Sequence, residues 1–187
     1  MRAAEFNAIL DLVVTKTLEP LGFRPHGRSL RYDDGLAQAA LLRTELRSTP
    51  PARLAFGYRH AFLRSYDTEA VLDEPPTNLA EYPVKIAPSA LPAVTTGAWR
   101  YTPMNLGRWP SDSIDYPNLT ALQVHQQLAA VADTIATTFP QVRERWSPDR
   151  LRQDVIDDGE NAWCERLWVE DYDDFLRVLP PADRPVY

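Results

Sequence analysis

The segment from Leu18 to Tyr32 constrains the fold of this chain more than any other stretch. Upstream of it, apolar residues recur at helical spacing over Ala3–Glu19 and predict an amphipathic helix. Gly22 can adopt the left-handed conformation that ends a helix, and Phe23 then provides the apolar contact of the cap. A short basic strand follows at once over Ser29–Tyr32. A helix that leads directly into a strand in this way is typical of a mixed α and β domain.

Three antiparallel strands are predicted between residues 29 and 64. They run over Ser29–Tyr32, Leu36–Arg47 and Arg53–Arg64. A tight turn at Asp34 and Gly35 joins the first two strands. The third strand alternates, and one of its faces consists of Leu54, Phe56, Tyr58, His60 and Phe62. We expect this aromatic face to form the core, whereas the opposite face carries Arg53, Ala55, Gly57, Arg59 and Ala61.

The rest of the chain predicts further strands and helices. Two short strands are expected in a proline-rich stretch, over Tyr82–Ile86 and Val94–Tyr101. Helices are expected over residues 118–138, 147–159 and 162–179, with Pro140 stopping the first of them. We therefore predict an α+β fold with a mostly antiparallel sheet of four to six strands, packed by the N-terminal helix and by the long helix near 119–138. The chain is expected to form a single domain, with a core over about 3–140 and a C-terminal helical annex over about 147–180.

Composition excludes several classes of function. The 187 residues are 44% hydrophobic and 25% charged, which is typical of a soluble globular protein. No stretch approaches the roughly 18 apolar residues that a membrane helix needs. Cys164 is the only cysteine and the first residues lack an export signal, so we expect a cytoplasmic protein without an intramolecular disulfide. The net charge of −6 disfavours nucleic acid as a partner.

The motifs of common enzymes are missing from the sequence. It contains no glycine-rich phosphate loop, no nucleophile elbow and no zinc-binding helix motif. We predict no catalytic residue, no metal and no cofactor, because the three histidines fall in different predicted elements without a ligand partner at suitable spacing. His60 has two interpretations: a hydrogen-bonded core residue, or a proton carrier beside Tyr58.

An acidic stretch near the C-terminus suggests a binding surface. Residues 154–174 carry nine acidic side chains against Arg166 alone. Such a surface with embedded aromatic residues suits a protein partner whose own surface is basic. We therefore predict a noncatalytic protein-binding module of the immunity or inhibitor type, and the candidate contact residues are Trp163, Trp168, Glu170, Asp171, Tyr172, Asp173 and Asp174. The alternative interpretation of this stretch is a solvated helical face over a tryptophan-rich core.

A second hypothesis places a small-molecule site on the arginine-rich face of the sheet. Residues 24–64 carry eight arginines and three acidic residues. Guanidinium groups bind carboxylate or phosphate through two parallel hydrogen bonds. In this hypothesis Arg43, Arg59 and Arg100 hold an anion, and His60 or Tyr58 handles a proton.

Several short motifs also resemble those of a known family. They are LEPLGF, RSLRY, RTELRS, RLAFGYRHAF, GAWRY and FPQVRERWSPDRL. Over residues 4–156 the chain resembles domain-of-unknown-function family 4304, small bacterial proteins with an N-terminal helix, a Leu-x-x-x-Gly-Phe junction and an antiparallel sheet. The family often has glutamine and lysine before the serine of the second strand, where this chain has RTELRS. The resemblance implies no particular activity, and it suggests an immunity partner of a secreted toxin.

Overall fold

The computed structural model describes residues 1–44, 50–65, 68–96, 110–158 and 163–180. In this part of the chain the protein is α+β, as predicted, with an antiparallel sheet of six strands. The strands are β1 Arg24–His26, β2 Ser29–Asp33, β3 Ala37–Arg43, β4 Ala52–His60, β5 Val84–Ile86 and β6 Asp112–Ile114. The helices are α1 Ala3–Leu10, α2 Lys16–Leu18, α3 Leu91–Thr96, α4 Ala121–Arg145, α5 Pro148–Asp158 and α6 Trp163–Val178.

The N-terminal helical segment ends as the sequence predicts. A π-helical turn over Asp11–Thr15 joins α1 to α2, and a 3-10 turn over Glu19–Leu21 closes the segment. Gly22 has a φ of +96°, and its backbone N–H donates to the Glu19 carbonyl. Phe23 is fully buried directly after it. The glycine is required here because an L side chain rarely adopts this backbone conformation. The π-helical turn itself was not predicted.

Strand β4 is the centre of the sheet. It pairs with β3 along one side, and on the other side it pairs with β6 over its first three residues and with β5 further along. The strands predicted near residues 29–32, 36–47, 53–64 and 82–86 are confirmed with different bounds, and residues 45–47 of the second one lie outside the described part. Strands β1 and β6 were not predicted, and at three residues each they are too short to produce a recognisable alternation.

The strand predicted over Val94–Tyr101 is wrong where the structure describes it. Residues 91–96 form helix α3, and residues 97–101 lie outside the described part. The β-branched run of Val94 and two threonines favoured a strand, but Leu91 and Val94 are three residues apart and both are fully buried. Packing on one helical face therefore outweighs the local propensity.

Helix α4 continues through Pro140 to Arg145, so the prediction that this proline ends the helix is wrong. Phe139 beside it is buried, with ring centroids 5.1 Å from that of Phe23 and 4.8 Å from that of Tyr32. A proline inside a helix costs about 3 kcal/mol. Burial of the residues around Pro140 offsets this cost, because the helix can place them in the core only by continuing.

The two faces of the sheet are covered differently. Helices α1, α4 and α6 contribute to the large core on the face of Phe56 and Tyr58. The segment 68–83 contributes Leu79 and Tyr82 to a smaller apolar cluster with Ala40, Leu42 and Ala55. Arg59 belongs to this second face and has no exposed surface. The arginine face of the central strand is therefore interior.

The segment 68–83 packs closely against the second face of the sheet. The Tyr82 ring lies directly over Gly57, and a Cβ atom at Gly57 would be 2.5 Å from Tyr82 Cγ. The Tyr82 hydroxyl donates to the Pro76 carbonyl at 2.9 Å, and Arg31 Nη1 donates to the Pro75 carbonyl at 2.8 Å. These contacts help to hold the segment over the sheet.

We expect Gly57→Ala to lower the free energy of unfolding by about 1–3 kcal/mol, because the added methyl group forces Tyr82 out of its position. Urea unfolding measures this change. In a Tyr82→Ala background the same substitution should cost much less, since the clashing ring is gone. Equal costs in the two backgrounds would contradict the contact.

Candidate functional site

Two aromatic residues of the predicted partner surface, Trp168 and Tyr172, lie in the core. Trp168 and Tyr172 are each 3% exposed, and both contact the Phe62 ring. The side chain of Trp163 lies outside the described part. The prediction that Trp168 and Tyr172 anchor a partner at the surface is therefore wrong, because α6 turns its aromatic stripe toward the end of β4. A hydrophobic face at helical spacing more often packs inward than outward.

The acidic residues of α6 take part in docking this helix. Arg64 Nη1 lies 2.6 Å from Asp171 Oδ1, and Arg64 Nη2 lies 2.5 Å from Asp174 Oδ2. Asp173 pairs with Arg152 of α5 at 3.4 Å. Glu170 is exposed. Of the predicted contact residues, Glu170 and the partly exposed Asp173 and Asp174 are the carboxylates that a partner could reach.

His60 is a structural residue that joins three elements. Its Nε2 donates to the Trp146 carbonyl at the end of α4 at 2.7 Å, and its Nδ1 accepts from the Trp168 indole N–H of α6 at 3.0 Å. The tautomer follows from the partners, since a carbonyl only accepts and an indole only donates. Both nitrogens are engaged and the side chain is fully buried. This geometry matches the core interpretation, not the proton carrier.

Burial lowers the pKa of His60 to about 4, although the bond to the Trp146 carbonyl opposes the shift. Protonation of Nδ1 would also place its N–H against the indole N–H of Trp168, so that two donors would face each other. A histidine with a lowered pKa stabilises the folded state above its unfolded value near 6.5, and this contribution is lost as the pH falls toward 4. His60 therefore makes the docking of α4 and α6 sensitive to acid.

We expect the free energy of unfolding to drop by roughly 2–3 kcal/mol between pH 7 and pH 4.5 because of His60. In His60→Gln this drop should be much smaller, because glutamine does not titrate. Urea unfolding at both pH values measures it, with the exposed His125→Gln as matched control. The same drop in the His60→Gln protein as in the control would refute this role of His60.

The predicted anion site does not assemble as one site. Arg43 is paired with Leu54 across the sheet and so lies on the face of Phe56 and His60, whereas Arg59 lies on the opposite face. Arg59 Nη2 donates to the Leu63 carbonyl, and its Nη1 lies 3.9 Å from Glu81. Arg100 lies outside the described part. Three of the four predicted residues are thus separated by the sheet or by the length of β4.

Arg43 instead faces a cavity of about 250 Å³ between the N-terminal helical segment and the start of the sheet. Its polar lining consists of Asn7, Asp11, Thr15, Arg28, Ser29 and Arg43. Leu30, Leu41 and Leu54 form apolar walls and are buried, and Leu10 adds a half-buried one. A concave site with apolar walls and a few polar groups is the usual form of a small-molecule site.

The guanidinium of Arg43 is held in place from the helix side. Its Nη1 donates to Asn7 Oδ1 at 2.5 Å, and its Cζ lies 5.3 Å from the centroid of the Phe6 ring. Phe6 is itself fully buried and stacks on Tyr116 at 4.6 Å. The contacts with Asn7 and Phe6 help to hold the guanidinium in position, and a positioned guanidinium is preorganised for a carboxylate.

The π-helical turn explains why the helix presents three polar residues to this cavity. Asn7, Asp11 and Thr15 are spaced by four residues. In a regular α-helix each step of four residues drifts by about 40° around the axis. The π-helical turn over Asp11–Thr15 is wider than an α-helical turn, so the second step reverses this drift. All three side chains therefore line one cavity. The regular spacing was the sequence signal, and it was missed because Asp11 falls off the apolar stripe.

A second groove, of about 330 Å³, lies between the β2–β3 turn and the end of α4. The charged side chains of Asp34 and Arg143 in this groove bind each other. Asp34 accepts from the backbone N–H of Ala37 at 2.7 Å, from the Tyr32 hydroxyl at 2.8 Å and from Arg143. Burial raises the pKa of the Asp34 carboxyl, but these contacts together bring it below its usual range. This network stabilises the turn, and we do not assign a ligand to it.

No protein-family model, curated protein or solved structure matches the chain. The resemblance to family 4304 therefore stays a prediction. Among the described residues, no group of three histidine, cysteine or acidic side chains is arranged to hold a metal ion. Within the same residues, no helix has the length and apolarity that crossing a bilayer requires.

Proposed function

We propose that the protein binds a small organic anion in the cavity beside Arg43. The observation that carries this proposal is the fixed guanidinium at a concave site with leucine walls. Arg28 lines the same cavity and adds a second positive charge. A carboxylate that binds in a partly desolvated pocket gains more from such charges than it would in open water.

We propose binding rather than catalysis for this cavity. Its titratable lining consists of Asp11, Arg28 and Arg43, and no described histidine, cysteine or lysine lines it. A general acid or base at neutral pH needs a group whose pKa lies near 7. His60, the buried imidazole, belongs to the core contact with Trp168 and does not line this cavity. A cytoplasmic location is part of the proposal, supported by the single cysteine.

We expect small aliphatic carboxylates to raise the melting temperature of the protein, because they bind the folded state alone. In Arg43→Gln the shift should disappear, since glutamine carries no positive charge to bind the carboxylate. Differential scanning fluorimetry with a panel of carboxylates of two to eight carbons and with inorganic phosphate measures this effect.

The matched control is Arg150→Gln, which removes one exposed arginine far from the lining residues in sequence. Its response to the panel should equal that of the parent protein. If no compound shifts the parent, or if the shift persists in Arg43→Gln, the proposed function is wrong.

A second candidate function is binding of a basic protein partner of the immunity or inhibitor type through α6. It is favoured by the exposed carboxylate of Glu170 beside the partly exposed Asp173 and Asp174. With Trp168 and Tyr172 buried, such a contact would rest on charge. Contacts between exposed charges weaken strongly as the salt concentration rises.

For this candidate we expect Glu170→Lys to reduce capture of a basic partner at least about tenfold, which corresponds to about 1.4 kcal/mol. Glu170 is the variant of choice because the other acids also dock the helix. Binding to immobilised protein at 50 and 300 mM salt measures the loss. Asp133→Lys, on the exposed face of α4, is the control. Equal losses in both variants would count against α6 as the contact surface.

A further inference from the structure

We infer that the ligand of this cavity is a zwitterion with a branched aliphatic body, that is, a small aliphatic amino acid. This inference rests on the proposed function and adds to it the ligand class and its orientation. It follows from the opposite charges of Arg43 and Asp11 on the lining and from the leucines between the polar groups.

The carboxylate end belongs at Arg43. The guanidinium is the half-buried cation of the cavity, and it is anchored to Asn7 at 2.5 Å. A guanidinium has five N–H groups in a planar fork and can therefore bind more than one acceptor at a time. It discriminates for carboxylate geometry better than a lysine would.

The ammonium end belongs at Asp11. This carboxylate lines the cavity from the first position of the π-helical turn, and Thr15 follows four residues later on the same lining. A carboxylate and a hydroxyl oxygen both accept hydrogen bonds, and an ammonium group donates three. Asp11 disfavours an anion without an ammonium group, because it adds a negative charge to the lining that holds the two arginines.

The apolar walls of the cavity favour a ligand with an aliphatic side chain. Leu30, Leu41 and Leu54 are buried, and no described aromatic ring lines the cavity. Its volume of about 250 Å³ corresponds to about eight water molecules at about 30 Å³ each. Leucine has nine non-hydrogen atoms, so an amino acid of this size fits within the cavity.

Isothermal titration with three matched compounds tests the inference. Leucine carries both charged groups, 4-methylpentanoate lacks the ammonium group, and 3-methylbutylamine lacks the carboxylate. We expect leucine to bind at least about tenfold more tightly than either analogue. In Asp11→Asn, leucine should fall to the affinity of 4-methylpentanoate, whose own affinity should not decrease.

The exposed Asp133→Asn is the control for a general effect of charge, and circular dichroism and melting temperature report whether each variant folds. If 4-methylpentanoate binds through Arg43 and leucine binds no more tightly, the zwitterion is wrong while the proposed function stands. If leucine keeps its advantage in Asp11→Asn, the assignment of Asp11 is overturned. If no carboxylate binds the parent protein, both proposals fail together.

Discussion

Burial of the central strand on both faces is the constraint on which the rest of the structure depends. All residues of β4 except Arg53 are buried. The strand therefore needs a cover on each side, and any polar group on it needs a partner inside the protein. Helices α4 and α6 provide the hydrogen-bond partners of His60. On the other face, Glu81 of the segment 68–83 provides an ionic partner for Arg59. The two covers differ because the side chains beneath them differ.

This constraint separates the residues that resemble catalytic groups from those that face solvent. His60 and Arg59 are reactive types on a strand, and yet their polar atoms bind carbonyls and side chains of the core. Their burial means that removing a partner leaves an uncompensated group, which is costly. Two acidic residues of α6 also have partners within the protein, since Asp171 and Asp174 bind Arg64. Ligand binding is therefore to be sought where polar groups line a cavity.

Much of the fold could be predicted because the signals are local. The alternation along β4 and the glycine cap at Gly22 each depend on a few neighbouring residues. The surroundings of His60 could not be predicted, because its partners are 86 and 108 residues away in sequence. The wrong prediction at Pro140 has the same cause. A proline usually ends a helix, but α4 continues through Pro140, and Phe139 beside it contacts Tyr32, which is distant in sequence. Site residues depend on such distant contacts more than helices and strands do.

The cavity lies beside the π-helical turn of the N-terminal helical segment. In a regular α-helix Thr15 would lie about 40° around the axis from Asp11 and about 80° from Asn7. The π-helical turn keeps the three polar residues together over Leu41 and the other leucine walls. Such turns are less stable than regular helix and occur often at functional sites. Within this turn Val13 and Val14 are buried in the core, whereas Asp11 and Thr15 line the cavity together with Asn7 of α1, so the turn serves both packing and the cavity.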